Sequence, residues 1–468
     1  MKAGLFLFDA SPVFSHLLLV RGPINWILVK MSRFLFLFLI SVLHAEDWPQ
    51  FRGPNASGLA VDKATVTSWD VEKGMNVLFQ KGVPGVAHSS PIVCGDRVYL
   101  TTAVAPSDPK LKLGLYGEVG SAPKDPKQEW RILAFDKKSG ELIYNKLGHE
   151  AVPRSQRHPK ATQCNSTPAT DGKFIVAYFG SEGIFCFDME GELQWKKDLG
   201  EMNSGFFKMP TAQWGFASSP IIHEGKAVIL CDVQKDSFLG VIDLTSGDWE
   251  WKKERSDVPT WSTPSIAKVG ETTQILVNGW RHTGAYDFKT GEEVWKLSGG
   301  GDIPVPTPVV GEKFAYFTSA HGRFRPMRAI RLRAKGDITP SAVKEVNEHI
   351  PWVHHRMGNY MQTPLLVGKH LYGCNDRGVL TCFSAQDGAI LFSERLPASG
   401  FSASLVSDGR HLYVSSEFGE VWVVKVGPKY EEVGRVKLSG NCMATPAISE
   451  GVIYFRTEKS LIALGTKE

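Results

Sequence analysis

At 468 residues the chain can hold two or three ordinary domains or one large repeat architecture. Its 22% charged and 43% hydrophobic residues exclude a disordered polymer. The formal charge of +4 is dispersed over residues of both signs, with no basic run and no acidic tail to point to nucleic acid or a membrane surface as partner. The densest basic stretch, residues 323–335, reads as a solvated strand edge. The 46 glycines and 27 prolines are spread along the chain, as a turn-rich all-β protein requires.

In chain order the first predicted element is a leader. Residues 31–45, MSRFLFLFLISVLHA, carry one arginine, an apolar run and a small residue, Ala45, before Glu46. That is the layout of a secretory signal peptide, and its apolar core is shorter than the roughly 20 residues that span a bilayer. Translation is expected to begin at Met31, with residues 1–30 an upstream extension; the alternative is an amphipathic leader. The expected location is periplasmic or secreted, without a transmembrane span. Residues 1–45 are thus set apart as leader and signal peptide, 46–75 as an N-terminal arm and 76–468 as the folded body.

That body is repetitive. A Ser/Thr-Pro step closes at Pro91, Pro168, Pro220, Pro264, Pro308, Pro364 and Pro446, and in an eighth copy Ser404 stands in the proline place. Most intervals are close to the length of a four-stranded propeller blade. Each step is followed by an apolar strand, a polar glycine turn and a second apolar strand, which is a hairpin signal. A third strand ends in a turn where Asp136, Asp188, Asp243 or Asp287 can cap backbone amides and Gly140, Gly191, Gly247, Gly291 or Gly388 accepts a positive φ. Four residues after each glycine comes Tyr144, Trp195, Trp251, Trp295 or Phe392, a ring placed to wedge against the next blade.

After the last Pro step only three strands remain, so residues 76–81 (NVLFQK) are expected to return as the missing outer strand. The expected fold is an all-β, eight-bladed β-propeller of four-stranded antiparallel blades, the last closed by an N-terminal strand. It is expected to be a monomer. Two insertions interrupt the ring: residues 103–129 in blade one and 336–358 after the third strand of blade five. Seven cysteines cannot all pair, and Cys186 and Cys382 occupy a slot filled by Ala134 in another repeat, so they read as small buried apolar residues.

The D-x-x-[ST]-G-x-x-x-W turns, repeated through residues 76–468, resemble the pyrroloquinoline-quinone-type propeller repeat of quinoprotein alcohol dehydrogenases and of the outer-membrane protein assembly lipoprotein. The segment DWPQFRGPNASG, residues 47–58, is similar to the start of secreted quinoprotein-like propellers. That likeness implies an arm in which Trp48, Phe51 and Arg52 pack on the propeller. Quinoprotein dehydrogenases carry adjacent cysteines beside the quinone, and this chain has no such pair. No calcium ligand set maps onto it either, so no cofactor is expected, with pyrroloquinoline quinone and calcium as the alternative.

Residues three before each Pro step should line one mouth of the central channel: His88, Asn165, Ala217, Trp261, Val305, Met361, Phe401 and Met443. Trp214, Tyr360 and Arg323 lie near this ring. The set is largely apolar with few titratable groups, which suits recognition better than acid–base chemistry. His88, Asn165, Trp214, Trp261, Arg323, Tyr360 and Phe401 are the binding candidates; no catalytic or metal-ligating residue is assigned. His349, His354 and His355 read as surface-loop residues, because neighbours on a strand face opposite sides. The expected function is binding or scaffolding of a protein, peptide or glycan. The alternatives are a quinone-dependent dehydrogenase of alcohols or sugars, and an outer-membrane assembly factor.

Overall fold

The turn after each third strand folds as its residues dictate. The carboxylate of Asp243 accepts the N–H groups of Thr245 and Ser246, both at 2.9 Å, and Asp287 does the same for Lys289 and Thr290. Asp136 and Asp188 cap their turns in the same way. These amide contacts hold the Asp136 and Asp243 carboxyls below the usual carboxylate range.

The computed structural model describes residues 47–114, 120–342 and 345–467. The leader and signal peptide expected over residues 1–45, with a start at Met31, lie outside them. Among the described residues the strands form eight sheets, taken in chain order around a central channel. Blade one is Ile92–Cys94, Arg97–Val104, Gln128–Asp136 and Leu142–Ala151, all antiparallel. Its three inner strands are mostly buried, whereas the outermost alternates between exposed and half-buried residues.

Blade eight takes Ala447–Ser449, Val452–Arg456 and Ser460–Leu464 from the end of the chain and Val77–Gly82 from its beginning. Phe79 pairs with Ala463 and Lys81 with Leu461, so the ring is joined by hydrogen-bonded antiparallel strands. One blade departs from the four-strand expectation. Blade four gains a fifth strand, Gly336–Asp337, which pairs in parallel with Glu293–Leu297. The insertion in blade five therefore reaches back to cover its neighbour's outer edge before Trp352–His354 completes its own sheet.

Rings lock each blade to the next. A side chain at Gly247 would meet the Trp195 ring at 2.8 Å, and one at Gly291 would meet Trp251 at 2.7 Å. The indole N–H groups of the same tryptophans donate to the carbonyls of Leu244 and Phe288, at 2.8 and 2.9 Å. Tyr144 sits on Gly191 in the same way. Trp352, hidden from the repeat spacing by the insertion, sits on Gly388, and Phe79 of the closing strand sits on Gly140. Trp295 is buried against Phe317 instead, because blade five has no turn glycine to receive it. All seven cysteines are buried and free.

The arm before Val77–Gly82 crosses the face of the ring where first strands turn into second strands. Trp48 exchanges backbone hydrogen bonds with Val93 of blade one, Pro49 accepts from Thr170 of blade two, and Gln50 accepts from Ile222 of blade three. Arg52 is fully buried; it donates to the carbonyls of Leu405 and Pro364, both at 2.8 Å, and to Ala56 and Ser57 of its own segment. No carboxylate pairs with it among the described residues, and burial lowers the guanidinium to about 9. Gly53 has φ 70°, and any side chain there would enter the Trp48 ring.

Candidate functional site

The hydroxyl residue of each repeat's Ser/Thr-Pro step bonds to its neighbour's backbone. The Ser90 N–H donates to the Thr167 hydroxyl at 2.9 Å, Thr167 to Ser219 at 2.9 Å and Ser219 to Thr263 at 3.0 Å. Thr307 donates to Thr363, Thr363 to Ser404 and Ser404 to Thr445, each at 3.0 Å, and Thr445 returns to Ser90 at 3.1 Å. The belt runs in one rotational sense around the channel. It is interrupted at Thr307, whose buried hydroxyl oxygen has no hydrogen-bond partner.

Above this belt opens a cavity of about 210 Å³. Phe51 of the arm lines it, and because Gln50 on one side of Phe51 is bonded to blade three and Arg52 on the other to Pro364 and Leu405 before blades six and seven, the arm passes across the channel and makes the site a blind pocket. Trp214 and Trp261 form one wall, with ring centroids 5.6 Å apart and planes inclined by 29°. Backbone contacts hold them: the Trp261 indole donates to the Gly215 carbonyl at 2.8 Å, and the Trp214 carbonyl accepts from the His158 N–H. His158 stands edge-on to Trp214 at 5.5 Å.

Charge enters through one buried pair. Lys160, between blades one and two, meets Glu417 of blade seven in a short ion pair. Glu417 also accepts from the Ser402 hydroxyl at 2.6 Å and from the Gly114 N–H at 2.7 Å, which ties the blade-one insertion to blade seven, past the intervening blade eight. Burial pushes the Lys160 ammonium down. Burial also works to raise the Glu417 carboxyl, but Lys160, Ser402 and Gly114 together hold it below its ordinary value. His88 gives a ring hydrogen bond to the Lys160 carbonyl at 2.9 Å, and burial lowers its imidazole to about 4. It is neutral near pH 7.

Five of the seven residues expected at the channel mouth line this cavity: His88, Asn165, Trp214, Trp261 and Tyr360. Phe401 does not. It is 0% exposed and packs on Trp422 at 5.6 Å. The cause is a register error of one residue: Ser404 occupies the hydroxyl place and not the proline place, as its bonds to Thr363 and Thr445 show. Counting from Leu405 puts Ser402 at the mouth, and Ser402 does line the cavity. A one-residue shift moves a side chain to the opposite face. Arg323 is exposed on a loop of blade five, with its guanidinium 5.6 Å from the Phe324 ring, and is not part of the lining. Lys160 and Glu417 escaped sequence reasoning because neither belongs to the repeated motif.

The family model described as outer membrane protein assembly factor BamB matches residues 56–296 and 128–394 of this chain. The chain belongs to that family. Among solved structures, BamB from Moraxella catarrhalis superposes on this BamB-type propeller with a TM-score of 0.52 at 13% identity, covering 78% of this chain and 98% of that one. The quinohemoprotein alcohol dehydrogenase of Comamonas testosteroni gives 0.59 at 10% identity, covering 90% and 81%. A europium-containing methanol dehydrogenase gives 0.58 at 11% identity, covering 90% and 89%. At such identities the likeness is one of fold. No curated protein matches the sequence.

The dehydrogenase relatives raise the question of a quinone with a metal ion. A hard cation needs several oxygen ligands, carboxylates first among them. Among the described residues no Asp or Glu lines the channel of this BamB-type propeller, and Glu417 is held by Lys160, Ser402 and Gly114. Among the described residues no three His, Cys, Asp or Glu side chains group to hold an ion. The donor set does not fit a quinone–calcium pair.

Proposed function

We propose that this protein is exported and works as a binding protein whose recognition element is the blind central channel. The observation that carries the reading is the channel itself, closed at one end by the protein's own arm and lined by hydroxyls and aromatic rings without a carboxylate. Such a lining orients and holds a ligand and presents no carboxylate as a general base. A preformed pocket of this kind sits well with rigid blades locked ring to glycine.

Native mass spectrometry of protein purified from its own host tests this. The expected result is a retained small ligand or chain end that is lost in Trp261→Ala. Robust substrate-dependent dye reduction after adding pyrroloquinoline quinone and calcium would overturn the reading in favour of a dehydrogenase. The family match favours a second reading, a part in outer-membrane protein assembly. Co-purification with assembly machinery that survives Trp261→Ala would favour it.

A further inference from the structure

Aromatic rings do not stop at the channel mouth. From Trp261 the series continues to Trp214, then to Phe206 at 6.1 Å with planes inclined by only 5°. Phe206 lies 5.3 Å from Phe207, and Phe207 lies 4.6 Å from Trp280. Five rings thus form an unbroken track from the blind pocket outward over blades three and four. All but Trp214 are only partly buried; Phe206 and Trp261 pack in part against the cluster of Ala212, Trp214 and Ile303, and each of the four rings keeps some exposed surface. Apolar residues that served only as core would be covered.

Cations flank the outer part of this track. The Lys208 ammonium lies 5.7 Å from the centre of Phe206 and 5.4 Å from Phe207. The exposed Arg281 guanidinium lies 5.9 Å from Phe207 and 5.3 Å from Trp280. Lys208 is loosely paired with Asp302, at 3.4 Å, and that carboxylate is also bound by His321 at 2.6 Å. No carboxylate pairs with Arg281 among the described residues.

The inner end of the track has its own chemistry. Seven of the belt hydroxyls line the cavity, and each accepts a neighbour's N–H. None of these seven O–H groups has an acceptor within the described protein, although every one of the residues is at least nine-tenths buried. A hydroxyl that accepts from an amide and has no protein acceptor offers its proton to whatever enters the channel. The belt is therefore a ring of donors facing a space with no carboxylate.

Resting on the channel as the binding site, we infer that the ligand is a linear glycan bearing uronic acids. Its terminal sugar enters the blind pocket, and the following sugars lie along the track from Trp214 to Trp280. Each part of the site answers one part of such a chain. Sugar C–H bonds carry a slight positive charge and stack on the negative faces of aromatic rings. The terminal carboxylate and hydroxyl oxygens accept from the belt, and later carboxylates meet Lys208 and Arg281.

The test is calorimetric titration of the purified protein with a short oligogalacturonate and with its carboxyl-reduced counterpart of equal length. The expected outcome is binding of the acid form, with the reduced form at least about tenfold weaker. Trp214→Ala and Arg281→Gln should each weaken the acid form roughly tenfold. Arg281 is exposed, so Arg281→Gln is readable even where Trp214→Ala perturbs folding. Equal binding of the two sugars, still weakened by Trp214→Ala, would overturn the anionic class and leave the channel as the binding site. Binding of neither would overturn the inference, while a different ligand retained by the native protein and lost in Trp261→Ala would still support the channel.

Discussion

Two single residues show how burial sets behaviour here. Arg52 carries its charge into the ring with only carbonyl oxygens around it. Its planar fork reaches Leu405, Pro364 and its own segment at once, a geometry that an ammonium does not reproduce. Arg52→Lys is expected to destabilise the protein by about 2–4 kcal/mol, measured by urea unfolding. His88 makes the complementary case for pH. Its folded pKa of about 4 lies below the ordinary 6.5, so between these values the unfolded chain binds more protons. The stability it contributes is complete above pH 6.5 and is lost as pH falls toward 4. The full effect is on the order of 3 kcal/mol. Unfolding midpoints of the wild type should therefore drop on acidification more than those of His88→Gln; equal slopes would show that the imidazole is not the cause.

At the scale of the blade, the unit of cohesion is a ring on a glycine. Gly291→Ala would push a methyl group to within 2.7 Å of Trp251 and place it on a backbone with φ 70°. The expected cost is about 1–3 kcal/mol, read from thermal unfolding, with Trp251→Ala of similar size. Much of this was legible in the sequence, because the Asp, the glycine and the aromatic stand at fixed offsets. What was not legible has local causes. Trp352 does the same work as Trp251, but the insertion before it breaks the count. Ser404, with leucine where proline stands elsewhere, invited a one-residue slip that sent Phe401 to the mouth on paper and to the core in fact. The step hydroxyls take backbone partners in the adjoining blade, and no spacing within one repeat specifies a partner in another. Phe206, Phe207 and Trp280 sit in irregular loops, where periodicity carries no signal.

For the whole molecule, closure depends on Val77–Gly82 returning to Ser460–Leu464. Deleting residues through Gly82 leaves that last strand with an unpaired edge and removes Phe79 from Gly140. The truncated protein is expected to self-associate, seen as a shift to larger species in light scattering, because an open edge templates further pairing. A truncated form that stayed monomeric and fully stable would mean that the seam is not what joins the ring.

The arm has one more consequence. If the inferred polymer is the ligand, a tube with the arm across its base takes it only by its tip, so occupancy would follow how many chains are present and not how long they are. Cleaving a bound polysaccharide into fragments should raise the amount of protein occupied at constant sugar mass, up to one fragment for each propeller.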